Sequence, residues 1–144
     1  MELAYRFSAD EVQWSELEAL FKVAGMEGRT GQKIARAFEK SSLVCLAFDN
    51  GRLVAASRAL TDWEYHATIY DVVVHPDYQH RGIGTRMMHE LVQRLKVWRI
   101  MLVANGEVQS FYRRLGFDDY HDVMARLDRS ELYDDLCSEQ AIDA

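Results

Sequence analysis

Apolar and polar positions change period several times along the chain, and each change marks an element. Leu3–Phe7 alternates, as a half-buried strand does. Ser8-x-x-Glu11 has the form of a capping box. Behind it Val12, Leu17, Leu20, Phe21 and Ala24 share one helical stripe, and Gly25 stops that helix. After a loop over 25–31, Thr30 is placed to cap a second helix with Ile34, Ala37 and Phe38 inward. Leu43–Phe48 and Leu53–Leu60 read as strands joined by Asn50-Gly51, two residues that tolerate positive φ. A turn over Asp62–His66 leads to a β-branched strand, Thr68–Val74, which ends before Pro76.

The second half alternates strand and helix. Gly82–Val97 is amphipathic, with Ile83, Met87, Met88, Leu91, Val92 and Leu95 on one face. Ile100–Ala104 reads as a buried strand and Val108–Leu115 as a short helix closed by Gly116. Phe117–Asp119 and Val123–Leu127 read as two short strands around a turn. Antiparallel hairpins followed by β-α-β crossovers predict an α+β domain with a mixed sheet. Neither repeat nor linker interrupts residues 1–127, so they form one domain. Residues 128–144 form a tail, where Asp128-x-x-Glu131 is placed to cap a short helix.

Composition narrows the function. Of 144 residues, 49% are apolar and 28% charged, with one proline, which excludes a disordered chain. The formal charge of −6 is unevenly spread. The tail carries six acids and one base, or −5; residues 1–127 carry 17 acids and 16 bases, or −1. No surplus of Lys and Arg exists to bind nucleic acid. No apolar run approaches the ~18 residues of a membrane span, and the N-terminus shows no signal peptide. Cys45 and Cys137 lack metal-like or redox-like spacing, which predicts a reducing, cytoplasmic setting. The five histidines form no ligand pattern, so no metal is expected.

Chemistry concentrates in Ile69–Thr85. There a strand ends, a loop turns, and Gly82 and Gly84 open a long helix. Helix N-termini present unpaired N–H groups and partial positive charge to phosphates. The P-loop pattern is absent, and the dinucleotide fingerprint fails at Met87, where a third glycine is required. The longer run Gln79-His80-Arg81-Gly82-Ile83-Gly84 resembles the [QR]-x-x-G-x-[GA] acetyl-CoA motif of the GNAT N-acetyltransferases. Downstream, Asn105–Phe117 resembles that family's N-x-x-A-x-x-F-Y-x-x-x-G-F segment, with Val108 in place of alanine. His66–Val74 is similar to the corresponding run of plant and cyanobacterial arylalkylamine GNATs.

The resemblance covers residues 3–127 and implies a twisted mixed sheet of six to seven strands flanked by about four helices. It implies acetyl-CoA as cosubstrate and no metal. The strand equivalent to Ile69–Val74 would splay from Ile100–Ala104 and admit the pantetheine arm along Val72, Val73 and Val74. The loop amides of His80, Arg81, Gly82, Ile83, Gly84 and Thr85 would hold the pyrophosphate, and Gln79 would join the cofactor-binding residues. Asn105, Val108, Phe111, Tyr112 and Arg114 would form the other wall, with Arg113 an alternative to Arg114 at the ribose phosphate. A backbone N–H near Val73 would stabilise the oxyanion, and Tyr112 would protonate the departing thiolate.

Asp71 stands in an apolar strand, where a charge is costly unless paired or solvated. It reads either as the general base or as a carboxylate bonded to backbone or a nearby cation. Glu64 and His66 are the other candidate bases. The acceptor is an amine on a small molecule, arylalkylamines included, or a protein N-terminus or lysine. Acids at Asp62, Glu64, Asp71, Asp118, Asp119 and Asp122 suit a cationic amine. A non-catalytic acyl-CoA-binding module is the alternative from another class, and a homodimer is left open.

Overall fold

The computed structural model describes residues 1–26 and 28–128. Five strands form one sheet in the order β1-β2-β3-β4-β5: Leu3–Arg6, Leu43–Asp49, Arg52–Thr61, His66–Val74 and Arg99–Leu102. The first four pair antiparallel, and β5 lies parallel to β4. Helices α1 (Trp14–Val23) and α2 (Gly31–Glu39) precede β2, α3 (Ile83–Leu95) crosses from β4 to β5, and α4 (Gln109–Arg114) follows β5. The α+β fold with a mixed sheet and four helices is therefore as the hydrophobic pattern predicts.

The two faces of the sheet bury separate cores. Leu17, Phe21, Ile34 and Phe38 of α1 and α2 pack on Val44, Leu46, Phe48 and Val73. Ile83, Met87, Met88 and Leu91 of α3 pack on the opposite face with Ala47, Val54, Val72, Val74 and Tyr112. Both parities of β2 and β3 are buried, so these strands read as nearly continuous apolar runs. Asn50 at φ 48° and Gly51 at φ 86° form the tight β2–β3 turn.

Three local expectations are corrected. The Ser8 box does not cap α1: Ser8 Oγ accepts the Asp10 N–H at 3.2 Å, and the helix begins at Trp14. Thr30 stands at the start of α2 in extended geometry, but its side chain makes no cap hydrogen bond. No strand forms over Phe117–Asp119 or Val123–Leu127, so the described sheet has five strands rather than six or seven. Val123, Met124 and Leu127 are 52%, 95% and 56% exposed, and an apolar alternation without a burying face has nothing to fix it as a strand. The proposed tail helix lies outside the described residues.

Cys45 is a free thiol wholly buried in β2. Burial, reinforced by Glu90, pushes the thiol from 9.0 up to about 12. The folded chain thus holds this proton more tightly than the unfolded chain. Its contribution is complete below the unfolded value of 9.0 and is lost as pH rises toward about 12. Stability is expected to fall by up to ~1.4 kcal/mol per pH unit in that window. Urea unfolding of wild type and Cys45→Ala between about pH 8 and 11 checks this: the substitution should remove the slope that begins near the thiol's ordinary value.

Candidate active site

The site begins where two parallel strands part. The β4–β5 register runs from His66↔Arg99 to Ile69↔Leu102 and stops there, although β4 continues to Val74. The edge of β4 from Tyr70 onward therefore borders a gap. His75 donates its N–H to Val54 O on β3 at 2.8 Å. Successive backbone groups of a strand point to alternate sides, so the N–H groups of Val72 and Val74 turn toward the gap and that of Val73 toward β3. A ligand with alternating amides can extend the sheet at such an edge.

A β-bulge sits at the point of parting. Arg58 pairs with Tyr70 and Ala56 with Val73, so three steps on β4 oppose two on β3. Asp71 takes φ 56°, in the left-handed region. Ala67 and Ile69 face the α3 core, and so do Val72 and Val74, three residues later rather than two. The extra residue leaves Asp71 directed to the α1–α2 side.

On sequence alone Asp71 reads either as a base or as a carboxylate bonded to a cation; the structure bonds it to two. Arg58 Nε donates to Oδ2 at 2.7 Å and Arg29 Nε to Oδ1 at 3.1 Å. Asp71 is 2% exposed. Arg58 also lies over the Tyr70 ring at 5.2 Å. These arginines line a cavity of about 160 Å³ with Lys33, Ile34 and Asp71. Neither arginine was singled out by sequence, yet Arg58 carries the same signal as Asp71: a lone charge in an apolar strand.

The loop after β4 is held by its own contacts. Pro76–Tyr78 makes one 3-10 turn, and the Tyr78 hydroxyl donates to Asp49 Oδ2 at 2.6 Å. Gln79 donates its amide to Val74 O at 3.0 Å, folding the loop back on the strand end. His80 and Gly82 stand at φ 63° and 82°. A Cβ on Gly82 would meet nothing within 4 Å, so its backbone conformation, not crowding, calls for glycine. No side chain caps α3 at Gly82, and the first helical bond is Arg86 N–H to Gly82 O at 3.0 Å. The amides of Ile83, Gly84 and Thr85 have no acceptor within the helix and suit an anion. Arg81, over the Tyr78 ring at 5.5 Å, adds a cation.

The other wall comes from the segment after β5. Asn105 Oδ1 accepts the Glu107 N–H at 3.1 Å, and Gln109 donates to Ala104 O at 3.1 Å. Val108 and Phe111 are buried, and Tyr112 is 2% exposed with its ring edge-on to Phe111 and Phe117. Among the described residues nothing hydrogen-bonds the Tyr112 hydroxyl. Burial raises its pKa well above the ordinary phenol value of 10.0. Arg113 and Arg114 are both exposed, and Arg113 is drawn to Asp119 at 2.8 Å.

The remaining candidates lie apart from the bulge. Glu64 stands on the turn before β4 and His66 opens that strand; both are exposed. The His66 ring meets those of Tyr65 and Trp98 at tilted angles, with centroids 6.2 and 5.8 Å away. Asp62 is used by that turn: its Oδ1 accepts the N–H groups of Glu64, Tyr65 and His66. The described residues contain no group of three or more metal-ligating side chains. None of their helices is long and apolar enough to cross a membrane.

The acetyltransferase (GNAT) family model matches residues 8–117. The chain belongs to this family. Its curated relatives include the uncharacterized N-acetyltransferase ycf52 of Pyropia yezoensis, 37% identical in an alignment that covers 78% of this chain and 69% of that one. Serotonin N-acetyltransferase 2, chloroplastic, of Oryza sativa subsp. japonica is 36% identical over 79% of this chain and 60% of its own length. Histone acetyltransferase TAP1 of Glycine max is 32% identical over 77% of this chain and 54% of its own length. Among solved structures, a GNAT acetyltransferase of Streptococcus pneumoniae superposes with a TM-score of 0.76 at 23% identity, over 90% of this chain and all of that one. The GNAT chain is thus an acetyltransferase by family, with the fold its sequence motifs imply.

Proposed function

We propose that this GNAT chain transfers the acetyl group of acetyl-CoA directly to the primary amine of a small molecule. The observation that carries the reading is the parting of β4 from β5 at Ile69–Leu102 beside the Asp71 bulge. Pantetheine amides would pair with the Val72 carbonyl and the Val74 N–H along the open edge, which leaves the Val72 N–H for the thioester oxygen; the α3 amides with Arg81 would take the pyrophosphate, and Arg114 the ribose phosphate. Acetyl-CoA supplies a thioester carbonyl, an electrophile for an amine.

The chain's own residues then have three tasks. The neutral nitrogen attacks the carbonyl carbon, and the N–H of Val72 in the gap stabilises the oxyanion. The C–N bond forms and the C–S bond breaks. Tyr112 donates its hydroxyl proton to the departing sulfur, the surplus amine proton passes to water, and water returns a proton to Tyr112 before the next turnover. Asp71 has both oxygens on guanidinium groups, which supports a positioning role for it: it fixes the bulge that turns Val72 into the gap. Buried, unpaired Cys45 supports a reducing setting such as the cytoplasm.

The test follows CoA thiol release from acetyl-CoA with an arylalkylamine, an amino acid, a polyamine, an aminoglycoside and a lysine peptide. Intersecting initial-rate lines, with amine and acetyl-CoA both varied, are expected for direct transfer. Parallel lines would indicate an acetylated enzyme and overturn it. Turnover of the lysine peptide alone would replace the small-molecule acceptor with a protein.

A further inference from the structure

The cavity beside the bulge has a definite charge. Among the described residues Arg29 and Arg58 line it around the one lining acid, Asp71, with Lys33 also on its wall, so the guanidinium groups outnumber the carboxylate. A second cation entering it meets like charge, whereas an anion meets guanidinium groups already oriented. Asp71 occupies the Nε edge of each arginine. Among the described residues Arg29 makes no other hydrogen bond, and Arg58 adds only a long 3.5 Å bond to Ser41 Oγ. The Nη ends, the fork that matches a carboxylate, are held in place by the Nε bonds.

Size and position narrow the ligand. About 160 Å³ is well below the roughly 300–1,000 Å³ of a whole-ligand pocket, so one headgroup fits. Asp71 immediately precedes Val72, and consecutive Cα atoms lie about 3.8 Å apart. The arginine pair is therefore anchored to the residue next to the one whose N–H turns into the gap. Asp71, the acid at the cavity, has both oxygens on guanidinium groups and so offers an entering cation little.

We infer that the acceptor is an amine bearing a carboxylate a few bonds from its nitrogen, an amino acid or close relative, with the carboxylate held by Arg29, Lys33 and Arg58. The inference rests on the acetyltransferase reading above and names its substrate class. It differs from the arylalkylamine that the serotonin N-acetyltransferase relative suggests.

Matched acceptors test it with the full chain, after acetyl-CoA binding has been measured by calorimetry. Tryptophan is expected to exceed tryptamine in kcat/KM by about tenfold or more, one charge-assisted anchor's worth. Lys33→Glu, with its fold checked by circular dichroism, should lower the ratio of tryptophan to tryptamine kcat/KM about tenfold. O-phosphoethanolamine against ethanolamine separates phosphate from carboxylate. N-acetylglycine added to the CoA complex should shift the Arg29 and Arg58 Nε–H resonances, a readout independent of turnover. Tryptamine used as well as tryptophan, a preference for the phosphate, or unshifted arginine signals would overturn the acceptor assignment alone. Failure to bind acetyl-CoA would overturn the acetyltransferase reading and the inference with it.

Discussion

Tyr112→Phe is expected to lower kcat about 100-fold, the lower end of what a positioned proton donor contributes, while the dissociation constant for acetyl-CoA stays within about twofold. The reason lies in what the substitution keeps. The ring is buried and edge-on to Phe111 and Phe117, and phenylalanine repeats that packing. Only the hydroxyl is removed, and among the described residues it has no partner whose loss would destabilise the fold. Thiolate expulsion loses its proton. Burial raises the Tyr112 pKa above 10.0, so the hydroxyl stays protonated through the neutral range and acts as an acid there. Wild-type kcat should show no alkaline decline from this group below that ordinary phenol value. Stopped-flow turnover and calorimetric acetyl-CoA binding check both halves. An unchanged kcat would remove Tyr112 from the reaction.

What sequence shows of this site depends on the range over which each signal acts. The Gln79–Gly84 loop and the α3 N-terminus are local: glycine freedom and helix-end amides are properties of a few consecutive residues, and Gly82 stands in the left-handed region that only such a residue adopts easily. The Asn50-Gly51 turn is legible for the same reason. Asp71 stood out as a charge in an apolar run, but the bulge beneath it did not. A bulge is a mismatch between two strands, visible only once Arg58 and Tyr70 are in register. Arg29 lies 42 residues from Asp71, beyond any periodicity argument. Asp71 and Asp119, two of the acids read as favouring a cationic amine, show the same limit, since charge counts along the chain omit the arginines that the fold brings to them. The two absent terminal strands show the converse: alternation at Val123–Leu127 has no meaning without a face to bury.

Asp71→Asn is expected to destabilise the chain by about 3 kcal/mol, near the low end for breaking a buried ion pair. The discount reflects the partners, whose side chains are 24% and 15% exposed and regain some water. Asparagine tolerates the left-handed region, so φ 56° can be kept and the change isolates charge. Arg29 and Arg58 then face each other without a counter-charge, the bulge loosens, and the Val72 N–H loses its fixed aim into the gap. The expected kinetic result is a fall in kcat of about tenfold with the shape of the pH–rate profile preserved. Loss of the acidic limb would instead make Asp71 the base. Arg58→Met should reproduce most of the destabilisation. The double variant should cost less than the sum of the two, because the second change removes a group the first has stranded. Urea unfolding of the four proteins, with their pH–rate profiles, separates a carboxylate that takes a proton from one that holds the strand in shape.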